Sequence, residues 1–265
     1  MCVMRLLPFV LLLMILPTTE AAEVRVAVAA NFAATLHTLA EDFGSETGHR
    51  VTVSSGSTGK HYAQIRNGAA FDVFLAADSA RPERLEAEGI GIANSRFTYA
   101  VGRLVLWVPG QRELGPPEQY LRNADFRHLA IANPRLAPYG LAAKQALRAW
   151  QLWERLQPKL VRGENIAQAF QFVATGNASA GLVALPSLLA GGRPAAGSYR
   201  VIPPKLHQPI NQQALLLRRG EAAEAFLRYL RGGAAAALIR SAGFEVRGRC
   251  WPGVRSTPAT CRPCG

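Results

Sequence analysis

The sequence predicts an α/β protein of two lobes with parallel-rich sheets, and three observations support this prediction. Segments with an apolar residue at every second position alternate along the chain with segments whose apolar residues recur at helical spacing. This strand-then-helix series occurs twice, once before residue 100 and once after residue 128. Extended segments near residues 100 and 210 join the two series, so two crossover strands should connect the lobes.

The first series starts with the alternating valines Val24, Val26 and Val28. Asn31 then opens a helical pattern, and we expect its side-chain oxygen to cap the first turn. The expected elements are a strand at 24–28, a helix from 31 to 48, a strand at 51–55, a turn at 56–59, a helix at about 60–67, a strand at 71–76 and an extended run at 97–108.

The second series has the same alternation with shorter strands. Its expected elements are a strand at 129–132, a Pro138-Tyr139-Gly140 turn, a helix at 141–150, a strand at 160–161, a helix at 166–175, a strand at 181–184, a proline-rich extended segment at 203–209, a strand at 214–217 and a helix at 221–241 broken at Gly232-Gly233. We therefore assign 23–102 plus 212–246 to lobe 1 and 103–211 to lobe 2.

Both ends of the chain lie outside these lobes. Residues 1–22 combine Arg5, an apolar run, Pro17 and two small residues, which is typical of a secretory signal peptide. Residues 247–265 lack apolar periodicity and form an appended tail that we expect to be disordered. This tail contains Cys250, Cys261 and Cys264, which could form a disulfide or help to bind a metal.

The formal net charge of +12 points to anionic partners. Arg5 and Glu20 leave together with the signal, so the mature chain keeps this charge. An export signal argues against nucleic acid, and the basic residues are scattered as on a solvated surface. A small anionic ligand remains the simplest explanation.

The strand-to-helix turns hold the most informative residues. In open α/β sheets ligands bind where strands end and helix N-termini present free N–H groups. Four such turns, two from each lobe, carry only uncharged residues: Asn31-Phe32, Ser57-Thr58-Gly59, Pro138-Tyr139-Gly140 and Asn165-Ile166. A ligand in the cleft would meet hydroxyls, an amide and backbone N–H groups.

This set of groups contains many donors and no carboxylate acceptor. A fully deprotonated oxyanion offers only acceptors and suits it, whereas a protonated phosphate brings a donor that needs an acceptor. Sulfate, molybdate and tungstate are therefore the natural candidates. Singly, Asn31, Thr58 and Asn165 could be helix caps and Tyr139 a core tyrosine; their occurrence together favours a site.

Motifs of the common enzyme classes do not fit. The Gly56-Ser57-Thr58-Gly59-Lys60 segment lacks the first glycine of a phosphate-binding loop and has His61 after the lysine. The chain contains neither an HExxH nor a GxSxG motif. Asp72 and Asp78 are best explained by capping or surface roles. We therefore expect no catalytic residues.

Between residues 23 and 246 the chain resembles the periplasmic molybdate-binding proteins of ABC transporters. The resemblance is carried by five segments: Val28-Ala-Ala-Asn-Phe32, Ser54-Ser-Gly-Ser-Thr-Gly-Lys60 with Tyr62-Ala-Gln-Ile65, Phe71-Asp-Val-Phe-Leu-Ala-Ala-Asp78, Arg96-Phe-Thr-Tyr-Ala100, and Asn133-Pro134 followed by Ala137-Pro-Tyr-Gly140. It implies a type II periplasmic-binding fold, an oxyanion held between the lobes, and delivery to a permease driven by a cytoplasmic ATPase.

The resemblance also implies the ligand-binding positions. They fall on Asn31 with Ala30, on Thr58 with Ser57, on Tyr139, and on Ile166 through its backbone N–H. Some family members place a tyrosine where this chain has Ala184, which we leave out of the site because Tyr139 supplies the hydroxyl. We expect a periplasmic monomer without a cofactor or direct metal ligands, because molybdenum or tungsten is held as its oxyanion.

Two alternatives remain open. The same fold could bind sulfate, thiosulfate or another small anion, or it could serve as a ligand-sensing or interaction module whose basic tail docks an acidic partner.

Overall fold

The computed structural model describes residues 21–123, 126–190 and 195–246. Most of the predicted signal peptide and the whole predicted tail with its three cysteines lie outside these ranges. None of the described helices is both long and apolar enough to cross a membrane.

Ten strands and ten α-helices make up the described part of the chain. The strands are β1 (Glu23–Ala29), β2 (Arg50–Gly56), β3 (Val73–Ala76), β4 (Phe97–Gly102), β5 (Leu104–Val108), β6 (Leu129–Ala132), β7 (Leu160–Gly163), β8 (Ala180–Ala184), β9 (Ser198–Val201) and β10 (Ile210–Leu216). The helices are α1 (Ala33–Thr47), α2 (Thr58–Arg66), α3 (Ala80–Ala87), α4 (Pro117–Asn123), α5 (Pro138–Ala149), α6 (Trp153–Leu156), α7 (Ile166–Ala174), α8 (Leu185–Leu189), α9 (Glu221–Leu230) and α10 (Gly233–Ser241).

The strands form two five-stranded sheets with matching topology. One has the order β2-β1-β3-β10-β4 and the other β7-β6-β8-β5-β9. In each, the first three strands are parallel and the fourth runs antiparallel to them. The alternation of strands and helices thus gives parallel-rich sheets, as predicted, because each crossover helix returns the chain in the same direction.

The chain passes between the sheets twice. It leaves the first sheet after Gly102 and enters the second at Leu104, and it returns between Val201 and Ile210. The return segment was expected to be extended, but Pro204–Leu206 forms a 3-10 turn. One buried apolar cluster packs mainly around the second sheet, and two others pack around the first sheet.

The helix starts differ in part from those predicted. Pro138-Tyr139-Gly140 was expected to be a turn but forms the first turn of α5, consistent with the preference of proline for the first helical position. Helix α2 begins at Thr58 rather than near Lys60, and Ser57 is its cap. Asn165 caps α7, and its side chain accepts a bond from the N–H of Gln168 at 3.0 Å, as a cap should.

Asn31 does not cap a helix. It lies inside the 3-10 turn Ala30–Phe32 that precedes α1, and no side chain caps either element. Its amide nitrogen instead donates to the side-chain oxygen of Gln212 at 2.9 Å. Both groups are buried, and an unsatisfied buried amide costs more than an exposed helix end, so this pairing is the preferred one.

Helices α3, α4, α6 and α8 and strand β9 were not predicted. All are short, and α3 and α4 bury few side chains, namely Pro82 and Leu85 in α3 and Leu121 in α4. Such helices leave almost no apolar periodicity in the sequence.

Asp72 has neither the capping nor the surface role that was expected, because it forms a partly buried ion pair with Arg25 that ties the start of β3 to β1. Asp72 accepts hydrogen bonds from the backbone N–H of Arg25 at 2.9 Å and from its Nε at 3.1 Å, and it lies 3.0 Å from Nη2. Burial alone would raise the pKa of Asp72, but the bonds from Arg25 outweigh it and hold the pKa below its ordinary value. The pair therefore stabilises the fold at neutral pH.

We expect Asp72→Asn to lower the free energy of unfolding at pH 7 by about 1.5–3 kcal/mol, the usual contribution of hydrogen bonds to a charged group. Because the folded-state pKa is depressed, this contribution is present above the unfolded-state value and disappears as the pH falls through the folded-state value. Urea unfolding of both proteins at pH 7 and at acid pH measures the difference. Glu118→Gln, which breaks an exposed pair with Arg122, is the control and should change little. Equal losses of unfolding free energy in the two variants would contradict the stabilising role assigned to the Arg25–Asp72 pair.

Candidate functional site

Three strand ends of the first sheet meet at one edge. Parallel pairing aligns Ala29 of β1 with Gly56 of β2, so Asn31 and Ser57 follow neighbouring strands. The hydroxyl oxygen of Thr58 accepts a bond from the N–H of Ala77, just after β3, at 3.1 Å. Asn31, Ser57 and Thr58 are all buried.

Each of the two hydroxyls at this edge accepts one hydrogen bond from a backbone N–H of the protein. Ser57 Oγ accepts from the N–H of Lys60 at 3.3 Å, and Thr58 Oγ1 accepts from Ala77. A hydroxyl has a single hydrogen, and in both residues that hydrogen is left to donate elsewhere. Ser57 and Thr58 can therefore act as donors to a third group.

The second sheet presents a corresponding edge. Ala132 of β6 is aligned with Gly163 of β7, so the helices that follow these strands, α5 and α7, start side by side. Tyr139 is the second residue of α5 and Ile166 the first of α7, and both are buried. The first N–H groups of each helix have no partner within the helix and carry the positive end of its dipole.

A buried hydrogen-bond network connects the two edges. Gln212 of β10 is fully buried, and its Oε1 accepts from Asn31 Nδ2 at 2.9 Å and from the Tyr99 hydroxyl at 3.4 Å. Its Nε2 donates to the Tyr139 hydroxyl at 3.5 Å. Gly102 makes room for this contact, because a Cβ there would lie 2.1 Å from the Tyr139 oxygen. The network joins residues that follow β1 and β6 through one glutamine side chain.

Gln212 and Tyr99 were missed as site residues. The run Asn211-Gln212-Gln213 places three amides in the middle of a strand, and this is the signal that could have identified Gln212. Tyr99 lies in the Arg96 to Ala100 segment, which carried the resemblance without a role being assigned to it.

The two edges face each other and are in contact. The N–H of Gly59 in α2 donates to the carbonyl of Leu136 at 2.8 Å, and Arg81 Nη2 donates to the carbonyl of Arg135 at 3.0 Å. Lys60 Nζ lies 3.3 Å from Glu164 Oε1. The 3-10 turn that holds Ala30 and Asn31 contacts helix α7. The cleft between the sheets is therefore closed.

Ala30, which was assigned to the site, and Ala184, which was left out of it, lie in different surroundings. Ala30 is half-buried and packs against the apolar cluster of the second sheet, next to Asn31. Ala184 ends β8, is fully buried and pairs with Leu104, so the position that we left out of the site has only a methyl group to offer.

Four ionisable side chains near these edges are neutral or paired. Burial raises the pKa of Tyr139 and of Tyr99, so both hydroxyls stay protonated. Burial lowers the pKa of His61 on α2, which favours the neutral imidazole. Asp78 pairs with Arg81 and also accepts from its N–H in the first turn of α3, a capping role as predicted. In the described ranges no group of three or more His, Cys, Asp and Glu is placed to bind a metal ion.

A bacterial extracellular solute-binding protein family model matches residues 24–245. The chain belongs to this family. The description of the family names extracellular solute binding as the role of its members.

Two relatives of this solute-binding protein are molybdate-binding proteins ModA. That of Azotobacter vinelandii is 49% identical over 231 residues, which cover 86% of this chain and 92% of the relative. That of Rhodobacter capsulatus is 42% identical over 227 residues, covering 84% of this chain and 88% of the relative. The predicted family resemblance is therefore confirmed.

Solved structures confirm the predicted type II periplasmic-binding fold. The periplasmic molybdate-binding protein of Azotobacter vinelandii matches with a TM-score of 0.81 at 39% identity, covering 85% of this chain and all of that one. The sulfate-binding protein SubI of Mycobacterium tuberculosis matches with a TM-score of 0.67 at 14% identity, covering 85% of this chain and 87% of that one; this likeness concerns the fold alone.

Proposed function

We propose that this chain is an extracytoplasmic solute-binding protein that captures molybdate or tungstate between its lobes and delivers it to an ABC permease. The observation that carries the proposal is the hydrogen-bond polarity of the closed cleft. Three buried hydroxyls, those of Ser57, Thr58 and Tyr139, each accept an N–H bond from the protein. None of the three donates to an acceptor in the described part of the chain, so their hydrogens are free for a ligand.

The ligand that suits such a site is a deprotonated dianion. Its oxygens accept hydrogen bonds and donate none, so every contact with a hydroxyl, an amide or a helix N–H is favourable. Asn31 and Ala30 contribute from the turn after β1, and the N–H of Ile166 contributes from the start of α7. Helix dipoles supply positive potential in place of a cation.

The choice of molybdate or tungstate rests on the relatives. Both ModA proteins are similar to this chain over most of its length, and molybdate is the ligand that their names state. Tungstate has the same charge and shape as molybdate, and we group the two. Sulfate shares the charge and the shape but is smaller, so only the size of the enclosed space excludes it.

In this function the chain works as a monomer and releases its anion unchanged. Binding closes the lobes about the two crossover segments, and an ABC permease with its cytoplasmic ATPase takes up the loaded form. The predicted signal peptide directs the chain to the periplasm, where this exchange takes place. We assign no catalytic residue and no cofactor.

Calorimetric titration of the mature protein with molybdate, tungstate and sulfate tests this function directly. We expect tight binding of molybdate and tungstate, because their oxygens reach donors from both lobes at once, and little or no heat with sulfate. Tight sulfate binding would redefine the protein as a general small-oxyanion carrier, and silence toward all three anions would overturn the proposal.

Tyr139→Phe should weaken molybdate binding roughly 10- to 150-fold, which corresponds to the loss of one charge-assisted hydrogen bond. The variant keeps the aromatic ring and removes only the hydroxyl, so the comparison is between nearly equal shapes. Tyr120→Phe is the matched control, because that tyrosine also lies in lobe 2 but is only partly buried and stacks on Phe126 of the apolar core. Unchanged affinity in Tyr139→Phe would remove this hydroxyl from the site.

Gly59→Ala should oppose closure of the cleft while leaving each lobe folded. A Cβ at this position would lie 2.9 Å from the carbonyl oxygen and 3.1 Å from the Cα of Leu136, both backbone atoms of the other lobe. Within α2 itself alanine is the better helix former, so the ligand-free protein should unfold at the same or a higher temperature.

Small-angle scattering with and without molybdate measures this effect. The unaltered protein should become more compact on binding, and Gly59→Ala should do so less and bind more weakly. Gly233→Ala, at the start of α10 in open space, is the matched control. Full compaction of Gly59→Ala at unchanged affinity would show that the Gly59–Leu136 contact is dispensable for closure.

A further inference from the structure

We propose that Gln212 is a positioning residue that sets the donor polarity of the anion site and thereby makes it discriminate against oxyanions that carry a proton. The inference rests on the proposed function, because it concerns how the same site selects its ligand. It adds a residue from β10, a strand that supplies no ligand contact in the assignment above.

The network around Gln212 uses both ends of its amide. The oxygen Oε1 accepts from Asn31 Nδ2 at 2.9 Å and from the Tyr99 hydroxyl at 3.4 Å. The nitrogen Nε2 donates to the Tyr139 hydroxyl oxygen at 3.5 Å. Gln212 is fully buried, and its side chain therefore depends on these neighbours for its hydrogen bonds.

This arrangement determines which group Tyr139 offers to the cleft. Its oxygen accepts from Gln212, and its single hydrogen is directed away from that amide and is available to the anion. Asn31 gives one amide hydrogen to Gln212 and keeps the second. Burial raises the pKa of Tyr139, so its hydrogen stays in place throughout the physiological pH range.

The opposite polarity would give a different site. If residue 212 accepted from Tyr139, the tyrosine hydrogen would be used inside the protein and only oxygen lone pairs would face the cleft. Such an acceptor suits hydrogen phosphate, which has a P–OH group to donate, and repels a fully deprotonated anion. A glutamine that donates to Tyr139 and accepts from Asn31 therefore favours molybdate over hydrogen phosphate.

The neighbouring Gln213 provides an internal comparison. It also lies on β10 and is nearly as well buried, but its side chain accepts from Arg96 Nη1 at 2.9 Å and donates to Thr98 Oγ1 at 3.2 Å. None of these partners belongs to the Asn31 and Tyr139 network. Gln213→Glu therefore introduces the same charge on the same strand without changing the polarity of the site.

The first experiment compares the affinities of Gln212→Glu and Gln213→Glu for molybdate and for inorganic phosphate at pH 8. A carboxylate at 212 accepts from Tyr139, so molybdate affinity should fall at least about 100-fold. Phosphate at this pH is mainly the hydrogen phosphate dianion, so charge repulsion affects both ligands alike. The ratio of molybdate affinity to phosphate affinity therefore reports the hydrogen-bond polarity of the site alone. This ratio should fall at least about tenfold in Gln212→Glu and stay unchanged in Gln213→Glu.

The second experiment is a double-mutant cycle with Gln212→Met and Tyr139→Phe, read as molybdate affinity. Methionine keeps the length of the side chain and removes its hydrogen bonds. If Gln212 acts partly through Tyr139, Gln212→Met should cost about tenfold in the unaltered background and less than about fivefold when residue 139 is phenylalanine, because only the loss of the Asn31 bond then remains. Thermal unfolding of the ligand-free variants verifies that each is folded.

The outcomes separate the two proposals. Failure of the unaltered protein to bind molybdate would overturn the proposed function and this inference with it. Molybdate binding by the unaltered protein, combined with an unchanged ligand ratio in Gln212→Glu or with additive losses in the cycle, would leave the function intact and reduce Gln212 to a packing residue.

Discussion

Burying two negative charges without a cation is the constraint on which the proposed site depends. A dianion loses its hydration when the cleft closes, and the loss is offset only if its oxygens meet donors that are already in place. A single acceptor aimed at the ligand would cost more than one missing donor, because it repels the charge as well as failing to solvate it. The hydrogen-bonding direction of each surrounding group is therefore as important as its position.

The fold meets this constraint at the ends of its parallel strands. Pairing of β1 with β2 and of β6 with β7 brings helix N-termini together in each lobe, and N-termini are donors by their nature. Backbone and side-chain N–H groups then occupy the acceptor sites of the hydroxyls at these edges. The hydroxyls that would contact the anion are thus oriented by N–H groups that do not contact it.

The sequence predicted the repeated strand and helix order, because valine-rich alternation and helical periodicity are local patterns. It also indicated the cap at Asn165, where a short polar side chain directly precedes an apolar helix. The capping role predicted for Asn31 was wrong, since the residue that pairs with its side chain, Gln212, is 181 positions away. Local propensity cannot show that a distant buried amide will compete for the same side chain.

The same difficulty explains why Gln212 and Tyr99 were missed. Both contact the site from β10 and β4, strands whose pairing is set by the two crossings of the chain. Helices α3 and α4 were missed for a different reason, because they bury too few side chains to leave a periodic pattern. The family resemblance points to the strand-to-helix turns, whereas only the sheet topology shows that Gln212 and Tyr99 lie next to them.

Three further contacts between the lobes lie on separate elements from the buried amide network, which also joins the lobes through Gln212 and Tyr139. Gly59, Lys60 and Arg81 meet the other lobe through one backbone bond, one half-exposed ion pair and one bond to a carbonyl. Weak contacts at the rim of a cleft control how often it opens, whereas the interior controls which anion is preferred once it is shut. In such a design the residence time of the ligand can change through rim substitutions while selectivity stays constant. A binding protein that must hold its ligand and still release it to a transporter benefits when residence time and selectivity depend on different residues.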